Sequence, residues 1–178
     1  MSALLTIREA QAADAAQIAQ VNFETWRSTY NGILDQDFLE ARSLEEQVSV
    51  WQDTLNTINP SAKRFVAIKD HNVIGYSGGG RNPDTRSPFQ SELFGIYVLK
   101  AYQGMGVGQA LTTSLAHWLV SQGSQSMLVW VLDKNPYRRF YEKIGAEKLD
   151  QTRDVDYGGK RLTVVSYGWT NLAALTNL

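Results

Sequence analysis

The chain contains no cysteine. That excludes disulfides, thiolate metal sites and a cysteine nucleophile, and it fits a cytoplasmic setting, where a fold needs no covalent staples. Long apolar runs are also missing. The longest, Met127 to Leu132, is far too short to cross a bilayer. The start of the chain has no basic segment leading into an apolar stretch, so no secretory signal is expected. Charge of one sign is lacking too: 17 basic side chains face 18 acidic ones, for a net charge of −1. This leaves no bulk electrostatic reason to bind nucleic acid or an anionic membrane. There is no internal repeat, low-complexity tract or linker, and 178 residues suit a single domain over 1–178 with a sizeable core.

What is present reads as alternating strands and helices. Leu4 to Glu9 is a short strand. Asp14 with Gln17 resembles a capping box, and Ala15, Ile18, Ala19 and Trp26 behind it share one helical face. Ser43 and Glu46 form a second capping box ahead of Leu44, Val48, Trp51, Leu55 and Ile58, whose spacings of four and three mark a helical stripe. Arg64 to Lys69 and Val73 to Ser77 read as a hairpin around Asp70-His71-Asn72, with Gly78-Gly79-Gly80 ending its second strand. Leu93 to Val98 is the next strand, followed by a glycine loop and a helix from about Gly108 to Ser121. Met127 to Leu132 reads as a strand buried on both faces. Pro136 suits the first turn of a short helix closed by Gly145, and Glu147 to Trp169 reads as two strands joined at Gly158-Gly159. The predicted order is βααβββαβαββ: an α/β domain whose mixed central sheet of about seven strands is flanked by about four helices.

A strand, a glycine-rich turn and a helix in that order make an anion site, because the first N–H groups of a helix lack intrahelical partners. The same order also serves as a plain tight turn. A nucleotide P-loop needs Gly-Lys followed by Ser or Thr, and neither Gly106 nor Gly108 is followed by Lys. A dinucleotide fold gains support from Asp133 after the next strand. It loses it because the third glycine position falls on Gln109 or Leu111, and because Leu99 to Gln103 separate the strand from the glycines.

The segment Gln103-x-x-Gly106-x-Gly108, after Glu92-Leu-Phe-Gly-Ile-Tyr-Val98, resembles the acetyl-CoA motif of the GNAT superfamily of N-acetyltransferases. Asn135-Pro-Tyr-Arg-Arg-Phe-Tyr-Glu-Lys-Ile-Gly145 is similar to that family's second signature. Ile7-Arg8 with Asp14-Ala15, Trp26-Arg-x-Thr-Tyr30 and Val165-Ser-Tyr-Gly-Trp169 extend the likeness over nearly the whole chain.

The resemblance implies transfer of an acetyl group from acetyl-CoA to an amine by direct attack, without an acyl-enzyme or a metal. It implies a pyrophosphate cradle from Gln103, Gly104, Met105, Gly106, Val107, Gly108 and Gln109, and a pantetheine contact along Ile96, Tyr97 and Val98 and at Asn135. Tyr141 matches the general acid facing the departing sulfur; an ordinary tyrosine, with pKa about 10, is protonated at neutral pH. Glu92 matches a base position. It lies four residues, roughly 13 Å of strand, from Ile96, so a water relay or simple binding of the acceptor's cation remain alternatives. His71 and His117 are poorer base candidates. Trp26, Tyr30, Phe38 and Trp51 are expected to line the acceptor pocket, against the alternative that they are core. That acceptor is a small molecule, a peptide N-terminus or a lysine, and a homodimer is expected by family analogy. A non-catalytic CoA-binding sensor on the same fold is the competing reading.

Overall fold

A computed structural model describes residues 4–178. Their order is β1 (Thr6–Glu9), α1 (Ala15–Tyr30), α2 (Gln36–Glu40), α3 (Leu44–Asn56), β2 (Ala62–Lys69), β3 (Asn72–Arg81), β4 (Ser91–Val98), α4 (Val107–Ser121), β5 (Met127–Leu132), α5 (Arg139–Lys143), β6 (Glu147–Tyr157) and β7 (Lys160–Trp169). All seven strands join one sheet in the order β1-β2-β3-β4-β5-β7-β6. Every neighbouring pair is antiparallel except β4 and β5. A dinucleotide fold needs a parallel doubly wound sheet, so that reading ends here.

Successive strand residues point to opposite faces, and the core follows this rule. Val66 packs with Ile18 and Val21 of α1, whereas its neighbour Ala67 packs with Val107 and Leu111 of α4. Helix α4 thus covers one face of β1 to β4, while α1, with α3 against it, covers the other. Leu111, Leu115 and Leu119 of α4 are fully buried, each contributing about 2 kcal/mol of transfer free energy.

Several elements depart from the sequence expectation. Helix α2 was not foreseen; at five residues it is too short for apolar periodicity to register, and Asp35 caps it by accepting from the Asp37 N–H. The order is therefore βαααβββαβαββ. Asp14 does not cap α1 through its side chain. It accepts from the Gln11 N–H at 2.7 Å and pairs with Arg8, while Gln17 accepts from the Val73 N–H. The stripe on α3 is only half-buried, and Ile58, beyond the helix end, is 93% exposed. Asn72 opens β3 rather than completing the turn, which Asp70 and His71 make with φ of 50° and 65°. Gly78 to Gly80 lie inside β3, because α4 and β4 approach the sheet there: a Cβ on Gly79 would sit 2.6 Å from the Leu115 side chain and 2.8 Å from the Glu92 carbonyl. Pro136 belongs to the turn before α5. A 3₁₀ segment, Leu172–Asn177, buries Leu172 and Leu175 after the last strand. Among the described residues no helix is long and apolar enough to cross a membrane.

Candidate active site

Strands β4 and β5 run together only at Ser91, Glu92 and Leu93, opposite Met127, Leu128 and Val129, and then part. The cause is a bulge: Gly79 pairs with Leu93 but Gly78 pairs with Gly95, leaving Phe94 as an extra residue in β4. Beyond it the backbone of β4 has no partner on the β5 side. The Leu99 N–H donates to the Ile74 carbonyl at 2.9 Å, so by antiparallel alternation Tyr97 is bonded to Tyr76. The peptide groups of Ile96 and Val98 therefore face the opening.

The glycine loop closes one end of this gap. Gly104 and Gly106 adopt φ of 75° and 81°, which L side chains rarely tolerate. Gly106 is the residue preceding α4, and no side chain caps the helix. The leading amides of Val107, Gly108 and Gln109 are therefore free for an anion. Gly108 answers a different need: a Cβ there would meet the Phe140 ring at 3.1 Å. Gln103 does not point into the cradle; its Nε2 donates to the Val98 carbonyl at 2.9 Å and fastens the loop to β4. Met105 is exposed.

Asn135 and Tyr141 approach from the far strand. The Asn135 side chain accepts from the Tyr137 N–H at 2.8 Å and donates to the Tyr30 hydroxyl at 3.3 Å. Tyr141 is buried on α5, with its ring against Phe140, Tyr167 and Trp169. Burial, with the nearby Tyr97 and Tyr167 hydroxyls, pushes its pKa well above the ordinary tyrosine value. It is therefore protonated at neutral pH. Tyr30 is raised in the same way, and Tyr141 contributes to that, so the two hydroxyls lie within electrostatic reach of each other. Tyr137 is 42% exposed.

The other sheet face is lined by side chains. Trp26 packs edge-on against Tyr30 at 4.9 Å and Tyr157 at 5.7 Å. Tyr97 stacks on Tyr76 at 5.1 Å. Phe38 packs on Tyr157, and Trp51 packs against Tyr76 in the α1–α3 core rather than beside the gap. Glu92 is half-buried and its pKa is raised, first by burial, with Arg153 pulling it back. His117 and His71 are exposed, and Asp133 pairs with Arg138. Residues that sequence reading did not single out also lie on this face: Arg42 over the Trp26 ring at 4.2 Å, Arg153 over Trp130 at 4.4 Å and Arg64 over Phe94 at 5.7 Å. No motif carries them. Among the described residues no cluster of three or more His, Cys, Asp or Glu side chains is placed to hold a metal ion.

Two surface depressions are lined by other residues. One, of about 500 Å³, is lined by Arg138, Arg139, Glu142, Lys143, Lys148 and Tyr167. The other, of about 410 Å³, lies by Pro60, Trp118 and Gly123.

The sequence profile of the Acetyltransferase (GNAT) family matches residues 23–146. The uncharacterized N-acetyltransferase YuaI of Bacillus subtilis (strain 168) is 32% identical over 177 residues, covering 98% of both chains. Among solved structures, PaiA N-acetyltransferase from Thermoplasma acidophilum, in complex with coenzyme A, superposes with a TM-score of 0.72 at 22% identity, over 93% of this chain and 99% of that one. The structure of yncA from Salmonella typhimurium, with its cofactor acetyl-CoA, superposes with a TM-score of 0.67 at 19% identity, over 95% and 94%.

Proposed function

The chain belongs to the acetyltransferase (GNAT) family and is an acetyl-CoA-dependent acyltransferase, and we propose that it transfers the acetyl group to an acceptor amine in the gap between β4 and β5. The observation that carries this placement is the unpaired stretch of β4, where the peptide groups of Ile96 and Val98 face a gap bounded by the uncapped N-terminus of α4. A pantetheine arm offers amide groups that add to such a strand edge, and the pyrophosphate suits the loop amides of residues 104 to 109.

Acetyl-CoA supplies the thioester. The protein's share is position and proton traffic. Asn135 and the backbone from Ile96 to Val98, with Tyr97 between them, hold the arm; the Ile96 and Val98 N–H groups aim at its carbonyls. Glu92, its pKa raised by burial, accepts the proton of the acceptor's ammonium through water. The amine nitrogen bonds to the acyl carbon, the carbon–sulfur bond breaks, Tyr141 gives its proton to the leaving sulfur, and the second proton that the nitrogen sheds on becoming an amide returns through water to Tyr141. Trp26 and Tyr30 form the aromatic wall beside the acceptor. The single domain over 1–178 carries all of these groups.

Release of free CoA across a panel of amines, repeated with Tyr141→Phe, tests the reading. Turnover that the variant abolishes supports it. Full activity in the variant removes Tyr141 as the acid. Stabilisation by acetyl-CoA without turnover of any amine favours a non-catalytic sensor instead.

A further inference from the structure

The described residues contain four ion pairs: Arg8–Asp14, Lys63–Glu9, Arg86–Asp84 and Arg138–Asp133. None involves Arg42, Arg64 or Arg153, yet these three share one sheet face beside the gap, each over an aromatic ring. The hydroxyls of Tyr97, Tyr76 and Tyr157 lie within electrostatic reach of Arg42. Arg42 is also held in place. Its Nη2 donates to Asn22 Oδ1 at 2.9 Å and to Gln47 Oε1 at 3.2 Å, and Asn22 in turn donates to the Tyr76 hydroxyl at 2.6 Å. Its Nε is buried and has no partner. A guanidinium does not shed its proton to escape burial, so part of its desolvation goes uncompensated here. Burial acts against the charge of both Arg42 and Arg64.

The position is as informative as the charge. Arg42 lies on Trp26, Trp26 lies on Tyr30, and Tyr30 is bonded to Asn135, at 4.2, 4.9 and 3.3 Å in turn. Tyr157 feels both Arg42 and Arg153, and Arg153 is the charged neighbour of Glu92. A cationic group, Arg153, thus neighbours the carboxylate proposed above to receive the ammonium. A polyamine or a lysine-rich peptide would be repelled by Arg42 and Arg153, and a neutral amine leaves them unexplained. A planar guanidinium stacked on an aromatic ring presents a fork that matches a carboxylate.

We propose that the acceptor is a small amine that also carries a carboxylate, of the amino acid class, with Arg42 and Arg153 binding the carboxylate and Glu92 receiving the amine. This rests on the acetyltransferase reading above.

The test follows CoA release by the full chain at saturating acetyl-CoA, with α-amino acids each paired with its carboxamide and its decarboxylated amine, and with spermidine as the cationic arm. Carboxylated members should exceed their carboxamides at least tenfold in kcat/KM. Arg42→Gln should raise the acceptor KM about 10- to 100-fold for a carboxylated amine and less than twofold for its carboxamide, with the KM for acetyl-CoA unchanged. Arg153 is exposed, so Arg153→Gln tests the same preference without risk to the core, and should lower it about tenfold. Equal turnover of the carboxamides, preference for spermidine, or an equal loss on both substrate classes in the two variants overturns the proposal. So does turnover of no carboxylated member while acetyl-CoA still raises the melting temperature. If acetyl-CoA neither stabilises the protein nor releases CoA with any amine, the acetyltransferase reading itself fails and this proposal falls with it.

Discussion

The two sides of the gap between β4 and β5 are made of different materials. The side proposed for the donor is backbone: consecutive residues from Gln103 to Gln109 with two left-handed glycines, an uncapped helix, and the strand end that Gln103 fastens in place. The side proposed for the acceptor is side chains from widely separated elements: Trp26 of α1, Arg42 between α2 and α3, Glu92 of β4, Trp130 of β5 and Arg153 of β6. Backbone groups cannot be altered without altering conformation, so the donor side is restricted to sequences that can fold into the turn. The acceptor side can be rewritten one side chain at a time while the sheet stays intact. A common donor and varied acceptors follow from that contrast.

Four variants sharpen or break it. Tyr141→Phe stands where the two sides meet and should show the largest effect, a fall in kcat of about 100- to 1000-fold with the KM for acetyl-CoA nearly unchanged, measured by CoA release. A comparable rise in the acetyl-CoA KM would instead assign Tyr141 to donor packing. Glu92→Gln should lower kcat/KM about 100-fold and flatten the acid limb of the pH profile. In the parent that limb rises with pH as Glu92 ionises, with a midpoint above the ordinary glutamate value of about 4.3 because burial raises it. The same shift carries a stability consequence. A carboxyl with a raised folded pKa loses its contribution as pH climbs through that pKa, so Glu92→Gln should melt higher than the parent at neutral pH. A lower melting temperature for the variant would show that the ionised carboxylate is compensated.

Gly106→Ala acts on the donor side alone. Holding alanine at a φ of 81° costs about 1–2 kcal/mol, which corresponds to roughly 5- to 30-fold in acetyl-CoA affinity by titration if the loop relaxes away from its cradle. Acceptor KM values should not move. His71→Gly lies on neither side. It relieves a left-handed non-glycine residue in the β2–β3 turn and should raise stability by up to about 1 kcal/mol, seen as a higher melting temperature with unchanged kinetics.

Legibility in the sequence divided along the same line. The proposed donor side rests on contiguous residue types that a motif can carry: glycines at set spacings, then Asn135 and Tyr141 in one short segment. The strands that position it were also legible from their apolar content. The acceptor side was only partly so. Trp26, Tyr30 and Glu92 lie in segments that resemble family motifs, and the structure puts Tyr30 beside Asn135 with Trp26 packed on Tyr30. Arg42, Arg64 and Arg153 sit in unremarkable polar stretches and meet only through tertiary packing. Gly78 to Gly80 misled as a strand end because a close approach by Leu115 and the Glu92 carbonyl is invisible along the chain. The bulge at Phe94 was hidden for the same reason: it exists only relative to a partner strand.

That bulge has a mechanical meaning. Only the ladder at Ser91, Glu92 and Leu93 joins the first four strands to the last three by direct backbone pairing. The sheet is therefore two smaller sheets sharing a short seam, with a pair of inner edges where most sheets have none. A bound pantetheine arm would act as a missing piece of strand on one of those edges. Amide hydrogens at Ile96 and Val98 should then exchange quickly in the free protein and slow on acetyl-CoA saturation, while Leu93 stays protected throughout. The donor would complete the fold as well as enter the reaction.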